Sequence, residues 1–444
     1  MRMNRVYGKL GGWRAFVLLV GILANGLAGA GAQAQNIAIR GATILTVTRG
    51  TIQNGTVLIQ NGKITAVGTN VNIPAGTRIV DGTGKYIMPG IIDAHSHLGM
   101  DTGLNEGAES VTPEVKIEVR ADALNIYRAL AGGTTTLNVL HGSANVVGGQ
   151  AALVKLKWGT TPDEMLIDDA PRIVKFALGE NPKRSNSTPQ AGQERRFPAT
   201  RMGVEQTLRW WFTEAQKYKK GWTDYNQAVK TDKTALMPRR DLRLEALSDI
   251  IDGKIWVHAH SYREDEIMML MKVAEDFGFR IKTFQHVLEG YKVADEIAKH
   301  GAGASTFADM WAYKMEAWDA IPHNATLMAR RGVNVSMNSD SDERVRRLYQ
   351  EAAIAIKYGG ATEEEALRMI TINPAWQMGI DQRTGSIEVG KDGDVAIFNG
   401  HPFAPASRVE MTIIEGKVYF DRDQAMTLEK LLRTLVTTTD GVLP

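Results

Sequence analysis

The sequence predicts an α/β fold: a (β/α)8 barrel carrying a small composite β-sandwich contributed by both chain ends. Three observations predict it. Eight apolar segments of strand length alternate with helical segments, the pattern of a barrel of parallel strands. Short strand-like segments bracket that region on both sides. Polar residues of metal-binding type fall at the C-terminal ends of several predicted strands, the end on which barrel sites are built. The length of 444 residues suits one barrel with an appendage. The boundaries we assign are 1–34 for a signal peptide, 35–88 and 384–425 for the sandwich, 89–383 for the barrel and 426–444 for a C-terminal helix or tail.

The first 34 residues differ from the rest. Arg2, Arg5, Lys9 and Arg14 precede an apolar run over 15–23, and small residues follow to Ala32-Gln33-Ala34. That is the layout of a secretory signal peptide, with cleavage expected after Ala34. The apolar run is too short for a confident membrane span, and an uncleaved N-terminal anchor is the alternative. Removing those four basic residues from 52 leaves 48 against 50 acidic ones, a net charge of −2. Nothing global therefore argues for a nucleic-acid partner. The chain has no cysteine, which excludes disulfides, thiolate metal sites, a cysteine nucleophile and a lipid-modified N-terminal cysteine. The protein is expected to be exported, periplasmic or secreted, with no membrane partner after cleavage. Monomer and homo-oligomer both stay open.

After the leader come short strands at 37–45, 56–60, 63–67 and 77–80, with Asn61-Gly62 as a hairpin turn. The barrel strands are expected at 86–97, 134–140, 152–158, 172–178, 255–260, 280–286, 303–307 and 333–340. Helices at 113–131, 265–277 and 291–300 space their apolar residues three or four apart. A long segment, 179–254, separates predicted strands four and five. It opens with Asn181-Pro182-Lys183-Arg184 and continues as a helix bearing Trp210, Trp211, Tyr218, Trp222 and Tyr225. Loops after barrel strands lie on the catalytic face, so this segment is either a substrate lid or simple packing. A helix at 363–377 is followed by strand patterning at 385–398 and 409–419.

The chemistry begins at Met88-Pro89-Gly90-Ile91-Ile92-Asp93-Ala94-His95-Ser96-His97. Residues i and i+2 of a strand share a face, so His95 and His97 set two imidazoles side by side, a pair suited to a divalent metal. Lys175 lies inside the apolar strand Ile173-Val174-Lys175-Phe176-Ala177-Leu178. A buried lysine is costly unless paired or neutralised. Reaction with CO2 gives a carbamate, an anionic ligand able to bridge two metals; a salt bridge to a carboxylate is the other reading. His258 and His260 end predicted strand five, His286 strand six and Asp340 strand eight. Singly each is unremarkable, but the fold brings these ends together. His260 shares a face with His258 and can stand behind it or touch substrate. His141 ends strand two, Tyr313 follows strand seven with Trp311 and Lys314, and Arg184 or Lys183 follows strand four. These are candidate substrate contacts, Arg184 for a carboxylate.

The His-x-His after Pro-Gly-Ile-Ile-Asp, the run Gly132-Gly133-Thr134-Thr135-Thr136, Lys175, the strand-five and strand-six histidines, Asp340 and the segment 385–394 together resemble the amidohydrolase superfamily over about residues 36–425. The branch most similar is the one holding imidazolonepropionase-like proteins and exported metal-dependent prolidases. The resemblance implies two divalent ions, zinc foremost: one on His95, His97 and Asp340, the other on His258 and His286, bridged by carbamylated Lys175. It implies that a hydroxide held between them attacks a carbonyl carbon, with Asp340 moving its proton to the leaving nitrogen. Asp340 is preferred over Asp342 because it directly ends the strand. Imidazolonepropionases and deaminases of the superfamily use one metal and lack the bridging lysine, so Lys175 with His286 argues for the two-metal hydrolase. The substrate expected is a dipeptide or another small amide, linear or cyclic. The alternatives are a mononuclear imidazolonepropionase- or deaminase-like hydrolase and a non-catalytic exported metal-binding protein.

Overall fold

The computed structural model describes residues 36–100, 104–183 and 196–429. The predicted leader, Arg184 and the chain beyond Glu429 lie outside the described residues. The strands are β1 (Ile37–Leu45), β2 (Thr51–Gln60), β3 (Lys63–Gly68), β4 (Arg78–Asp81), β5 (Tyr86–Pro89), β6 (Ile91–Ser96), β7 (Thr134–Val139), β8 (Val147–Gln150), β9 (Ala152–Lys155), β10 (Arg172–Ala177), β11 (Ile255–Ser261), β12 (Ile281–His286), β13 (Gly303–Thr306), β14 (Asn334–Met337), β15 (Val395–Phe398), β16 (Val409–Ile414) and β17 (Lys417–Asp421). The helices are α1 (Leu124–Leu130), α2 (Pro162–Met165), α3 (Arg201–Ala228), α4 (Leu242–Ile251), α5 (Glu264–Phe277), α6 (Ala294–His300), α7 (Asn324–Arg330), α8 (Leu348–Ile354), α9 (Glu363–Met369) and α10 (Ile372–Met378). No described helix is long and apolar enough to cross a membrane.

Strands from both chain ends hydrogen-bond into one eight-stranded sheet, ordered β17-β16-β15-β5-β1-β2-β3 with β4 on β1. Asn61 and Gly62 both have positive φ, 50° and 78°, as a tight hairpin turn between β2 and β3 requires. Period-two alternation gives the sheet two buried faces. Val395 and Ile397 join Ile37, Ile39, Val57 and Ile59 in one core, while Ala396 and Phe398 join the larger core of the α/β region. An ionic cluster pins the two parts together. Lys155 of β9, fully buried, reaches Asp392 at 2.5 Å, Glu415 at 2.8 Å and Asp394 at 3.0 Å. Replacing Lys155 with alanine strands buried carboxylates, so a loss of about 3–5 kcal/mol is expected, read as a lower urea midpoint.

The remaining strands form two sheets, β14-β13-β12-β11-β10-β8 and β6-β7-β9. The run from β10 to β14 is parallel. No ladder among the described residues joins β14 to β6, so the sheets do not close into the expected barrel; a backbone hydrogen bond from Asp340 N–H to the His95 carbonyl at 3.2 Å and the bonds of Ser339 to Asp93 span the gap. The expected third parallel strand is also different. Its place is taken by β8 and β9, antiparallel to β10 and β7 respectively. The link over 140–146 is too short for the crossover that a parallel return needs.

The helix expected over 113–131 shrinks to α1, and residues 111–116 instead run along β8 through bridges from Val111 to Val147 and from Lys116 to Gln150. Val115, Ile117 and Val119 alternate at strand period, and β-branched side chains favour extended backbone. The helix expected over 363–377 breaks into α9 and α10, placing Pro374 in a first turn, where proline is tolerated. The aromatic helix of the long insertion is α3, and it is not a lid. It buries Val204, Leu208, Phe212 and Ala215 at helical spacing, and Phe212 stacks on Phe279 at 4.4 Å and meets Phe176 at 6.1 Å. Phe176 alternates with Lys175 along β10, so α3 covers the face of the sheet opposite the lysine.

Candidate metal centre

His95 ends β6 fully buried because Asp93, two residues earlier, holds the strand end in place. Its carboxylate accepts the His95 N–H at 3.1 Å, the Ser339 N–H at 3.1 Å and the Ser339 hydroxyl at 2.5 Å. It thereby fixes β6 against the segment that carries Asp340. Burial pushes the Asp93 carboxyl up to about 7 against the pull of those hydrogen bonds. Our sequence reading passed over Asp93, although a carboxylate inside an apolar strand is itself a signal that partners must be supplied.

His97 donates from Nδ1 to the Leu140 carbonyl at 2.7 Å, since a carbonyl can only accept. Its Nε2 then faces Asp340 Oδ1 at 3.1 Å, and His95 Nε2 lies 3.5 Å from the same oxygen. A cation shared at that spacing, a proton or a metal ion, satisfies both groups. Donor atoms of His95, His97 and Asp340 all lie within 4.8 Å of one another. Asp340 has φ of 43° and His286 of 74°, left-handed backbone at both positions, and Val287 follows at 44°. Such strain concentrates at functional sites. Along β12 the register turns Gln285 inward beside His260; the left-handed turn then swings His286 in as well. The His286 ring sits 4.5 Å from that of His95, 4.6 Å from His260, 4.8 Å from Phe307 and 5.4 Å from Tyr262. Its Nε2 is 3.8 Å from Asp340 Oδ2.

The two strand-five histidines lie in different surroundings. His258, expected to ligate, is sealed off: its Nε2–H donates to the Gln377 carbonyl at 3.1 Å, and its Nδ1 accepts from the amides of Gln285 at 3.0 Å and Asn138 at 3.2 Å. No lone pair is left for an ion. His260 binds Ser143 through Nδ1 at 2.9 Å and aims a buried Nε2 beside His286. Among the described residues, His260 Nε2 and both His286 nitrogens have no hydrogen-bond partner, and such buried orphans demand one. A His/Asp donor set with open lone pairs fits a divalent ion of zinc type.

Burial holds His95 and His260 well below the usual imidazole range, and His286 at about 3, so all three are neutral, as metal ligands must be. Lys175, fully buried with Nζ 2.9 Å from His95 Nε2, is lowered to about 7 by desolvation. Burial pushes the Asp340 carboxyl up, but the hydrogen bond with His97, aided by the basic side chains around it, outweighs burial and holds it well below the usual range.

Of the expected substrate contacts, His141 is buried with an unpartnered Nε2, and Gly149 makes room for it: a Cβ there would lie 2.1 Å from that nitrogen. Burial lowers His141 to about 4. Tyr313 reaches the site through its hydroxyl, which donates to Tyr262 at 2.9 Å. Trp311 donates Nε1–H to the Ala308 carbonyl, and Lys314 pairs with Glu316 at 2.8 Å and Glu180 at 3.3 Å. Tyr262 was not among the expected residues; only the turn after β11 folds it back over His286.

Residues 86–419 match the Amidohydrolase family. The chain is 29% identical over 400 residues to Amidohydrolase tasK of Hapsidospora irregularis, covering 83% of this chain and 40% of that protein's length. It is 21% identical over 398 residues to an imidazolonepropionase of Thermoplasma volcanium, covering 85% of this chain and 93% of that one. An amidohydrolase structure from Thermotoga maritima MSB8 superposes with a TM-score of 0.79 at 33% identity, over 87% of this chain and all of that one. At the level of fold alone, a putative prolidase from Bifidobacterium longum superposes with a TM-score of 0.54 at 18% identity, over 87% and 95% of the two chains. With these matches and the His/Asp centre in hand, this chain belongs to the amidohydrolase family.

Proposed function

We propose that the protein is an exported, binuclear metal-dependent hydrolase of amide-type C–N bonds, with a prolidase-type dipeptide or a cyclic amide as substrate. The observation that carries this reading is the convergence of His95, His97 and Asp340, whose donor atoms lie within 4.8 Å of one another, with the unpartnered His260 Nε2 and His286 nitrogens beside them and the Lys175 amine 2.9 Å from His95 Nε2. His95, His97 and Asp340 would hold one ion, and His260 and His286 the second, with carbamylated Lys175 between them. His260 thus replaces the His258 expected from sequence. Near neutral pH much of Lys175 is the free amine, the form that reacts with CO2. Export rests on the composition of residues 1–34.

Divalent ions in this site supply Lewis acidity toward a carbonyl oxygen and make water a nucleophile near neutral pH. The chain's own residues do the rest. Asp340, ionised and within reach of the centre, takes the proton of the attacking water and delivers it to the leaving nitrogen. Asp93 keeps the strand carrying His95 aligned with Asp340. Phe307 and Tyr262 both stack on His286 and keep bulk water away.

A mononuclear reading draws on a separate observation: the donors that meet most closely are His95, His97 and Asp340 alone. The test is metal content per chain alongside turnover of Xaa-Pro dipeptides, other dipeptides, lactams and hydantoins. Two equivalents of metal, with turnover lost on chelation and restored by zinc, are expected; full turnover by metal-free protein would overturn the mechanism.

Paired substitutions separate the two histidines. His258→Ala leaves the Asn138 and Gln285 amides and the Gln377 carbonyl without their partner, so about 2–4 kcal/mol of stability should go while metal content holds. His260→Ala should melt near wild type and bind less metal. Metal analysis beside thermal denaturation reads both, and the reverse pattern would restore His258 as the ligand.

A further inference from the structure

The side chains packed on His286 are aromatic. Tyr262, 2% exposed, stacks on His286 with its ring inclined by 18°. Phe307 also stacks on His286, at 4.8 Å and 17°. Tyr313 joins this layer through its hydroxyl, and the Lys314 ammonium covers the Tyr262 ring at 4.0 Å. The loop after β13 continues this layer into solvent. Trp311 is 45% exposed, Tyr313 48%, Met315 81% and Trp318 68%. Trp311 meets Tyr358 edge to face at 6.4 Å. Four large apolar side chains left open within one short loop, in continuity with a buried aromatic layer on the metal centre, are not the ordinary scatter of surface apolar residues. Their polar atoms are already engaged: Trp311 Nε1–H on Ala308, Tyr313 O–H on Tyr262, Lys314 on Glu316 and Glu180. What they still offer a ligand is ring faces and edges.

We propose that Tyr313 and Trp311, backed by Tyr262 and Phe307, form a subsite for an aromatic or bulky apolar group next to the scissile amide, and that this subsite sets substrate preference. The inference rests on the hydrolytic reading above. Aromatic groups stack offset or edge to face on such walls and gain from the apolar area buried. An acidic or strongly hydrophilic group on the same side meets rings, and the Lys314 ammonium among them is already paired with Glu316 and Glu180. The preferred substrate is therefore an N-acyl or peptide amide with an aromatic group on one side of the bond.

The test uses metal-loaded full protein and two matched pairs: N-benzoylglycine against N-acetylglycine, and N-acetylphenylalanine against N-acetylalanine. Binding is followed by calorimetry and hydrolysis by amine release. In at least one pair the aromatic member should bind about tenfold or more tightly and show the advantage in KM rather than kcat. Trp311→Ala and Tyr313→Ala should each shrink that ratio to about threefold or less, while Trp210→Ala on α3 keeps it. Equal binding within both pairs overturns the subsite, and so does a preference that survives both loop substitutions. A dimer that Trp311→Ala makes monomeric, with the preference untouched, would assign the patch to a second copy of the chain and overturn it too. Aromatic binding preference without hydrolysis would keep the subsite and sink the hydrolytic reading; hydrolysis without preference would do the reverse.

Discussion

Lys175→Ala is expected to lose one of two metal equivalents and to slow turnover by about a thousandfold, the rate cost of losing several kcal/mol of transition-state stabilisation. The lysine is fully buried, its amine 2.9 Å from His95 Nε2, and burial lowers it to about 7. Alanine removes both the bridge and a desolvated polar group. The protein should still fold, with a cavity cost of about 2–3 kcal/mol. A small carboxylic acid in the medium should restore part of the rate by standing where the carbamate stood. Metal analysis beside the rate decides the matter. If the variant keeps two equivalents and normal turnover, there is no bridge, and the mononuclear account on His95, His97 and Asp340 takes its place.

Asp340→Asn should fold normally and lose about 10²–10⁴-fold in rate, the scale of a lost general acid–base group. Two observations support the first half. Asp340 has a left-handed φ of 43°, and asparagine tolerates that backbone as well as aspartate does. Its N–H bond to the His95 carbonyl does not involve the side chain. The second half follows from charge. The wild-type carboxyl is held ionised, chiefly through its hydrogen bond with His97, and can receive a proton, which a neutral amide cannot. An unchanged melting curve with turnover reduced more steeply than metal content is the expected pattern. Turnover within tenfold of wild type at equal metal content would remove Asp340 from the proton path.

Much of the site was legible in the sequence because strand periodicity is local. His95 and His97 two apart, His286 at a strand end and Lys175 in an apolar run each announce themselves within a few residues. The choice between His258 and His260 did not. Both face the same way, and a strand rises about 3.3 Å per residue, so they differ by about 7 Å in depth. Lys175 pairs in register with His258, yet its long stem carries the amine up to the level of His95. Which histidine meets the centre depends on that depth and on Gln377, far along the chain, which claims His258 from below.

The sequence by itself determined the alternation of strands and helices, the hairpin at Asn61-Gly62 and the residue types at the strand ends, because period, turn chemistry and burial cost act over a few neighbours. Only the tertiary structure decided that the strand after β7 returns antiparallel, that β5 joins β15 in one sheet, that Asp93 aligns Asp340, and that Tyr262 folds over His286. Each of these joins residues from separate elements, tens to hundreds of positions apart or turned together by a single strained backbone angle. No local preference specifies such a contact; it exists because packing and the demands of buried polar groups are satisfied together over the whole fold.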